Sequence, residues 1–420
     1  MSNVAGQDWF SKPGLQRILA LLNADGGEAR IVGGAVRNAL MGMPVADIDM
    51  ATTLPPQDVV ERAKEAGIKA VPTGIEHGTV TLVLDGEGFE VTTLRRDLET
   101  DGRHAQVAFG TDWNEDAQRR DLTINALYAD ASGEVIDLVG GLADIETRSV
   151  RFIGDADTRI SEDYLRVLRF FRFFAHYGSG RPDADGLRAS ARAKDKLSTL
   201  SAERVWSEMK KLLSATDPSR ALLWMRQSGV LSQVLPETEK WGIDAIHGLV
   251  AAEQALGWTP DALVRLASIV PVDAERVVAM ASRLRLSNAE AKRLKQWASA
   301  PVIDTAITDA AFDRLLYRNG VEGITMRLML SLAAARADVS AGEGAMQKIA
   351  RLSALLSRTQ KFVRPTFPLS GADVLASGVT PGPKVGEILG QLEEKWIEFN
   401  FSLDRAALTA RLEAAVKDQA

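Results

Sequence analysis

The sequence predicts an α+β protein, in which a head of strands and helices is followed by a long all-helical region. Two observations lead to this fold class. Between residue 1 and about residue 145, short runs rich in β-branched residues alternate with helical segments. Beyond about residue 145 the β pattern largely stops, and an Ala-, Leu- and Arg-rich helical periodicity continues to the end of the chain.

Composition narrows the class of protein. The chain has 420 residues, 46% of them hydrophobic, and its mean hydropathy of −0.06 is typical of a globular protein. Absence of cysteine excludes disulfides and thiolate metal sites, and four scattered histidines disfavour a histidine-rich metal centre. No signal peptide and no membrane span is expected, so we expect a cytoplasmic protein. No obligate protein partner is evident from the sequence. A net charge of −6 still allows a local basic stripe for nucleic acid.

Several elements follow from local patterns. Residues 80–83 and 89–93 read as two strands joined by the Asp85–Gly88 turn, and residues 57–66 read as a helix after two prolines. In the helical region, breakers are expected at residues 178–182, 235–236, 258–260 and 364–365. Ser287 and Glu290 form a capping-box pattern that predicts the start of another helix.

The segment from residue 31 to residue 53 is the most informative for chemistry. Asp47, Ile48 and Asp49 lie in a strand-like run, so the two carboxylates are expected on one face. Adjacent carboxylates repel unless a cation lies between them, and a hard cation with oxygen ligands is what phosphoryl-transfer sites use. The pair therefore predicts a metal site.

The same segment contains a phosphate-binding pattern. Gly33 and Gly34 form a small-residue turn into a helix and offer backbone N–H groups, while Arg37 offers a guanidinium. Alone, a Gly-Gly pair is usually a turn and an Asp-x-Asp is usually a solvated strand end. Their order and spacing here favour a nucleotide site with a metal half and a triphosphate half.

Two later blocks are charged and helical in character. The first runs from Arg119 to Leu127 and alone would pass for a charged helix start. In the second, residues 159–172, polar side chains recur every three positions and predict a stripe along one helix: Asp163, Arg166, Arg169 and Arg172. The intervening Leu165, Leu168, Phe171 and Phe173 are expected in a core. By itself this is the pattern of an amphipathic helix with an exposed arginine face.

The three blocks together resemble the class II tRNA nucleotidyltransferase and bacterial poly(A) polymerase family, within the DNA polymerase beta superfamily. The resemblance includes residues 137–144 and 201–208, is dense from about 28 to 235, and thins afterwards. It implies a nucleotidyltransferase (polymerase beta-like) head with a mixed sheet over residues 1–147. It also implies an all-α neck for nucleotide selection over residues 148–236, and a helical body and tail that bind tRNA over residues 237–420.

The resemblance also implies roles for individual residues. Asp47 and Asp49 match the Mg²⁺ ligands, and Glu90 is our candidate for a third catalytic carboxylate. The positions that match nucleotide contacts are Gly33, Gly34, Arg37, Arg120, Asp121, Asn125, Asp163, Arg166, Arg169 and Arg172. The family often has Asp where this chain has Asn38.

Base selection has a physical rationale in this assignment. Cytosine and adenine both present an exocyclic amino donor beside a ring-nitrogen acceptor. Asp163 can accept from the amino group while Arg166 donates to the ring nitrogen, whereas uracil and guanine present an oxygen where the carboxylate needs a donor. One protein site could thus select CTP and ATP without a nucleic-acid template.

Among family members, we favour a full CCA-adding enzyme acting on the 3′ end and acceptor arm of tRNA. The loop from Asp97 to Arg103, which enzymes adding only the two cytidines tend to lack, is present, and residues 102–107 are not the arginine-rich stretch of poly(A) polymerases. We expect the segment from Asp97 to about Val107 to be a mobile loop, and the resemblance implies that it helps convert the pocket from accepting CTP to accepting ATP. A poly(A) polymerase, an A-only enzyme and a non-catalytic RNA-binding protein remain as alternatives.

Overall fold

The computed structural model describes residues 2–101, 104–239, 241–338 and 342–417. The chain divides into two compact units, Met1–Glu239 and Lys240–Ala420. The sheet and the predicted site residues all belong to the first unit, and the described residues of the second unit form helices and their connections, with no strand. The finer division at residue 147 stays a prediction.

The strands of the first unit build one large sheet and one small ribbon. Their bounds are β1 Ala29–Val32, β2 Asp49–Thr52, β3 Lys69–Gly74, β4 Thr79–Leu84, β5 Glu87–Thr93, β6 Arg95–Asp101, β7 His104–Phe109, β8 Leu127–Ala129 and β9 Val135–Asp137. Seven of them form a sheet in the order β3-β4-β5-β2-β1-β8-β9. Only the β2–β5 pair within it is parallel, so the sheet is mixed, as predicted.

Two local predictions are confirmed: the hairpin, and the helix that follows the two prolines. β4 and β5 pair in antiparallel fashion around the turn at residues 85–86. The helix after the two prolines spans Pro56–Glu65, and its proline at the first turn removes an N–H that would have no partner there.

The segment expected to be a mobile loop, Asp97–Val107, is different in the structure. β6 and β7 pair in antiparallel fashion from Arg95↔Phe109 to Asp101↔His104 and form a separate two-stranded ribbon. Residues 102 and 103 lie outside the described residues. The polar composition and the Asp101-Gly102 pair suggested a loop, but backbone pairing satisfies N–H and C=O groups whatever the side chains are.

The first unit contains eleven α-helices among its described residues. They are α1 Pro13–Leu22, α2 Gly34–Leu40, α3 Pro56–Glu65, α4 Trp113–Gln118, α5 Gly141–Thr147, α6 Ala156–Glu162, α7 Leu165–Tyr177, α8 Ala184–Ala193, α9 Ala202–Leu213, α10 Ser219–Gln227 and α11 Val230–Val234. The apolar face predicted for α7 is buried at Leu165, Leu168, Phe171 and Phe173. α7 ends before the Gly178 breaker, and α11 ends before Leu235-Pro236.

The described residues of the second unit include two apolar cores. Its helices are α12 Ala245–Leu256, α13 Ala262–Ile269, α14 Ala274–Arg283, α15 Asn288–Ser299, α16 Asp309–Asn319, α17 Val321–Ala337, α18 Gly342–Lys361, α19 Gly371–Ala376, α20 Pro383–Glu398 and α21 Arg405–Lys417. One core includes Phe312 and Leu328, and the other includes Trp396 and Leu408. The capping box of Ser287 and Glu290 opens α15 as predicted. Across the described ranges, no helix is long and apolar enough to cross a membrane.

Candidate active site

A cleft of about 640 Å³ in the first unit collects most of the predicted site residues. Eleven of the thirteen line it: Gly33, Gly34, Arg37, Asp49, Glu90, Arg120, Asp121, Asn125, Asp163, Arg166 and Arg169. Asp47 and Arg172 are not among its lining residues. The lining also includes Arg95, Arg119 and Arg204, which the sequence reasoning did not single out.

The carboxylates lie at one edge of the central parallel strand pair. Asp49 opens β2 and is the direct neighbour of Glu90 on β5, and both side chains are exposed between buried residues. Desolvation by the surrounding protein, followed by the negative charges of Glu90 and Asp47, raises the pKa of Asp49. The cleft therefore concentrates negative charge at this carboxylate.

Asp47 differs from its expected position, because it precedes the strand instead of belonging to it. The two aspartates therefore do not share a strand face, although the charge of Asp47 still acts on Asp49. In the described part of the chain, no three acidic or histidine side chains form a ready-made metal cluster. A divalent cation with few protein ligands, completed by phosphate oxygens and water, fits this open arrangement.

The glycine turn is shaped for a sharp change of direction between β1 and α2. Gly33 has a φ of 71°, a left-handed conformation that favours glycine. Its N–H donates to the carbonyl of Leu127 at 2.9 Å, so it is already used within the sheet. The sequence predicted that the N–H groups of both glycines bind phosphate. Because the Gly33 N–H is already used, this prediction now applies only to Gly34 and the first turn of α2.

Arg37 is almost fully enclosed, with 6% of its surface exposed. Its Nη2 donates to Tyr177 Oη at 2.8 Å and to Asn38 Oδ1 at 3.0 Å, and its Nη1 donates to Asn125 Oδ1. Burial lowers the pKa of Arg37, while Tyr177 opposes that shift. Asn38 also donates to Pro44 O, so the amide that replaces the family's common aspartate has partners on both sides.

A chain of hydrogen bonds continues from Arg37 to α7, the helix predicted to select the base. Asn125 Nδ2 donates to Asp121 Oδ1 at 3.1 Å, and Arg169 Nε donates to Asp121 Oδ2 at 2.6 Å. Burial is the largest influence on the pKa of Asp121 and would raise it, but the charge of Arg169 and the hydrogen bonds from Asn125, Arg169 and Leu122 together lower it overall. Asp121 therefore stays ionised and connects Asn125 with Arg169.

A second buried carboxylate, Asp116, holds both arginines of the Arg119-Arg120 pair. Arg120 Nη2 lies 2.9 Å from Asp116 Oδ2, Arg119 binds Oδ1, and Tyr128 Oη donates at 2.7 Å. Burial favours the neutral acid, but the arginine charges lower the pKa of Asp116 overall. Asp116 was not predicted from the sequence, although it precedes the two arginines by three and four residues, a spacing that brings side chains together on a helix.

The residues predicted to select the base are arranged differently from the predicted helical stripe. Asp163 is not on α7 but in the extended link after α6, where it accepts from Leu165 N at 3.0 Å and from Arg204 Nη2 at 2.6 Å. Arg166 is on α7 and donates to Glu162 and to the carbonyl of Arg159. The two side chains are thus anchored separately, each by its own partner.

Arg172, the last residue of the predicted stripe, faces elsewhere. Its Nε lies 2.9 Å from Glu208 Oε2, and it lines a second cavity with Lys210 and Lys211 on α9. Burial lowers the pKa of Arg172, against the charge of Glu208. Three-residue spacing rotates around a helix by less than a full turn per step, so the far end of the stripe drifts off the cleft.

Comparison with known proteins identifies the family. Residues 29–151 match a family model described as the Poly A polymerase head domain, and residues 183–241 match one described as the probable RNA and SrmB-binding site of polymerase A. The mitochondrial CCA tRNA nucleotidyltransferase 1 of Mus musculus is 33% identical over 402 residues, covering 94% of this chain and 88% of the relative. The chain belongs to the CCA tRNA nucleotidyltransferase family.

Bacterial members agree with this membership. The CCA-adding enzyme of Leuconostoc mesenteroides is 30% identical over 410 residues, covering 96% of each chain. The crystal structure of the Bacillus stearothermophilus CCA-adding enzyme in complex with CTP has a TM-score of 0.77 and 26% identity, covering 97% of this chain and 98% of that one. Nucleotidyltransferases of this family use a divalent metal ion.

Proposed function

We propose that this protein adds CCA to the 3′ end of tRNA without a template, using CTP, ATP and Mg²⁺ and releasing pyrophosphate. The observation that supports this most is the single cleft that gathers Asp49 and Glu90 at one edge and the arginines of α7 on another wall. Similarity to CCA-adding enzymes over 94% to 96% of the chain favours the same activity.

At the reacting end of the nucleotide, Asp49, Glu90 and Asp47 would hold Mg²⁺. Bound there, the ion lowers the pKa of the primer 3′-hydroxyl and neutralises charge on the leaving pyrophosphate. Arg37 and the first turn of α2 orient the triphosphate, since buried, hydrogen-bonded donors stabilise developing negative charge without having to reorganise. The raised pKa of Asp49 is consistent with a carboxylate that is stabilised when a cation binds.

At the base end, Asp163 and Arg166 are held in fixed positions before the nucleotide arrives. Each oxygen of Asp163 accepts one hydrogen bond from the protein, which leaves further lone pairs to accept from an exocyclic amino group. Glu162 anchors Arg166 so that its other N–H groups can donate to a ring nitrogen. Such preorganised groups reject a base that presents the wrong donor or acceptor.

The test is an extension assay on a tRNA transcript that lacks CCA, followed by sequencing of the 3′ ends. We expect CCA ends in Mg²⁺ and none in EDTA. Asp47→Ala and Asp49→Ala are each expected to abolish addition while tRNA binding is kept. Near-wild-type rates in either variant would contradict the catalytic assignment.

The same assay distinguishes the alternatives. Long adenosine tails would indicate a poly(A) polymerase, a single adenosine on CC-ended tRNA would indicate an A-only enzyme, and no extension would indicate a non-catalytic RNA-binding protein. A cytoplasmic location stays a prediction, because the Mus musculus relative carries the word mitochondrial in its name.

A further inference from the structure

Tyr177, the last residue of α7, contacts Arg37 in two ways. Its hydroxyl accepts from Arg37 Nη2 at 2.8 Å, and the guanidinium carbon lies 4.0 Å from the centre of its ring. Phe173, one turn earlier on the same helix, lies 5.3 Å from that carbon. The end of the base-selecting helix therefore forms a platform under the arginine expected at the triphosphate.

The same helix also holds Arg37 by a second route. Arg169 on α7 donates to Asp121, Asn125 donates to Asp121, and Asn125 accepts from Arg37. Arg37 is thus fixed from two sides, directly by Tyr177 and indirectly through Arg169. Both routes connect the guanidinium to α7.

Counting donors shows what this arrangement leaves available. A guanidinium has five N–H groups. Within the described residues, Asn38 takes one from Nε and one from Nη2, Tyr177 takes the other from Nη2, and Asn125 takes one from Nη1. One N–H of Nη1 remains, on a residue that lines both the cleft and the second cavity beside it.

We propose that Tyr177 is a positioning residue that fixes the Arg37 guanidinium so that its remaining N–H meets the nucleotide's phosphates, and that it couples the triphosphate to the base-selecting helix. This inference rests on the proposed function. The hydrogen bond to the hydroxyl fixes how the guanidinium is rotated within its own plane. The aromatic ring fixes the orientation of that plane, because a cation is attracted to an aromatic face. In this role Tyr177 contacts neither the metal ion nor the nucleotide base.

The experiment separates the hydroxyl from the ring. Tyr177→Phe removes the acceptor and keeps the stacking surface, whereas Tyr177→Leu removes both. The matched control is Tyr317→Phe in the second unit, where the hydroxyl donates to Glu393 at 2.5 Å and the Arg364 guanidinium lies 4.5 Å from the ring. It removes a comparable contact outside the cleft.

Two quantities are measured in the addition assay: kcat and KM for CTP, and the inhibition constants of cytidine, CMP and CDP as competitors. We expect Tyr177→Phe to raise the KM for CTP about threefold to tenfold, the size of a typical net hydrogen-bond contribution, and Tyr177→Leu to raise it further. The inhibition constant of cytidine should stay unchanged, since cytidine has no phosphate. Tyr317→Phe should alter neither.

The outcomes are distinct. An unchanged KM for CTP in both variants, or an equal loss of cytidine and CTP binding, would overturn the positioning role, and the second result would indicate general disruption of the cleft. If the wild-type protein adds no nucleotide to tRNA, the proposed function itself is wrong, whatever Tyr177 does.

Discussion

At the scale of single residues, two kinds of carboxylate either line the cleft or contact the arginines that line it. Asp49 is exposed, and its pKa is raised by desolvation and by the charges of Glu90 and Asp47. Asp116 and Asp121 are buried, and their arginine partners lower their pKa values. The first kind is suited to take up a cation, and the second kind keeps arginines in place.

Asp49→Asn is expected to abolish nucleotide addition and to raise the Tm of the metal-free protein at neutral pH. The pKa of Asp49 is higher in the folded protein than in the unfolded chain. The folded state therefore loses stability as pH rises from the unfolded-state pKa to the folded-state pKa, and this loss remains at higher pH. The neutral amide removes it. Thermal unfolding in EDTA measures the effect, with the exposed Glu61→Gln as control. A lower Tm for Asp49→Asn would contradict the electrostatic account.

Asp116→Asn should destabilise the first unit by about 3–5 kcal/mol at neutral pH, as expected for breaking a buried ion pair. It should also raise the KM for both nucleotides, because Arg119 and Arg120 lose a shared anchor. The folded-state pKa of Asp116 is lowered, so its contribution is present above the unfolded pKa and is lost as pH falls through the folded pKa.

Denaturant unfolding of wild type and Asp116→Asn over a range of pH checks this sign. The difference between them should shrink as pH falls into the acid range. Glu115→Gln, an exposed neighbour on α4, is the control and should show no such dependence. A difference that grows with falling pH would contradict the assignment.

Asp163→Ala should relax selection against UTP and GTP and slow the addition of both CTP and ATP. The change removes the carboxylate that accepts from the amino group and that repels a carbonyl oxygen. It also leaves Arg204 without its partner. Single-nucleotide addition assays measure the discrimination, and unchanged discrimination would show that Asp163 does not read the base edge.

At the scale of secondary-structure elements, much of the fold was predictable from local patterns. The hairpin at residues 79–93, the helix after the two prolines and the capping box of Ser287 each depend on neighbouring residues, and each was confirmed. The ribbon at residues 95–109 was not predicted, because its polar composition resembles a loop and its pairing is visible only in three dimensions.

The site was predictable to the extent that its motifs are local. Gly34, Arg37 and Asp49 could be assigned from spacing and resemblance, and they line one cleft. Arg204 and Tyr177 could not, because their partners Asp163 and Arg37 lie 41 and 140 residues away in the chain. The placement of Asp163 outside α7 also escaped the three-residue periodicity, which carries no information on where a helix begins.

The ribbon formed by β6 and β7 makes a prediction at this scale. Deleting residues 100–105 shortens it at the tip, beyond the pair Arg95↔Phe109 at its base. If the ribbon helps the pocket change from cytosine to adenine, addition of two cytidines should stay nearly normal and terminal adenosine addition should fall selectively. End sequencing checks this, and equal loss of both additions in a variant of unchanged Tm would contradict it.

At the scale of the whole molecule, the first unit contains the cleft, and the described residues of the second form helices with no strand. Residues of the first unit alone supply the carboxylates, the arginines and Asp163. The account therefore assigns the chemistry and the base selection to the first unit. Its central claim is that this one cleft takes CTP and then ATP in a fixed order.

One measurement tests that claim most directly. The experiment uses four forms of a tRNA transcript, which end before CCA, after one cytidine, after two cytidines or after the full CCA. Each form is incubated with one nucleotide at a time, and its 3′ end is then sequenced. The account predicts cytidine addition to the first two forms, adenosine addition to the third alone, and no addition to the fourth. Adenosine addition to all four forms, or incorporation of UTP or GTP at comparable rates, would contradict it.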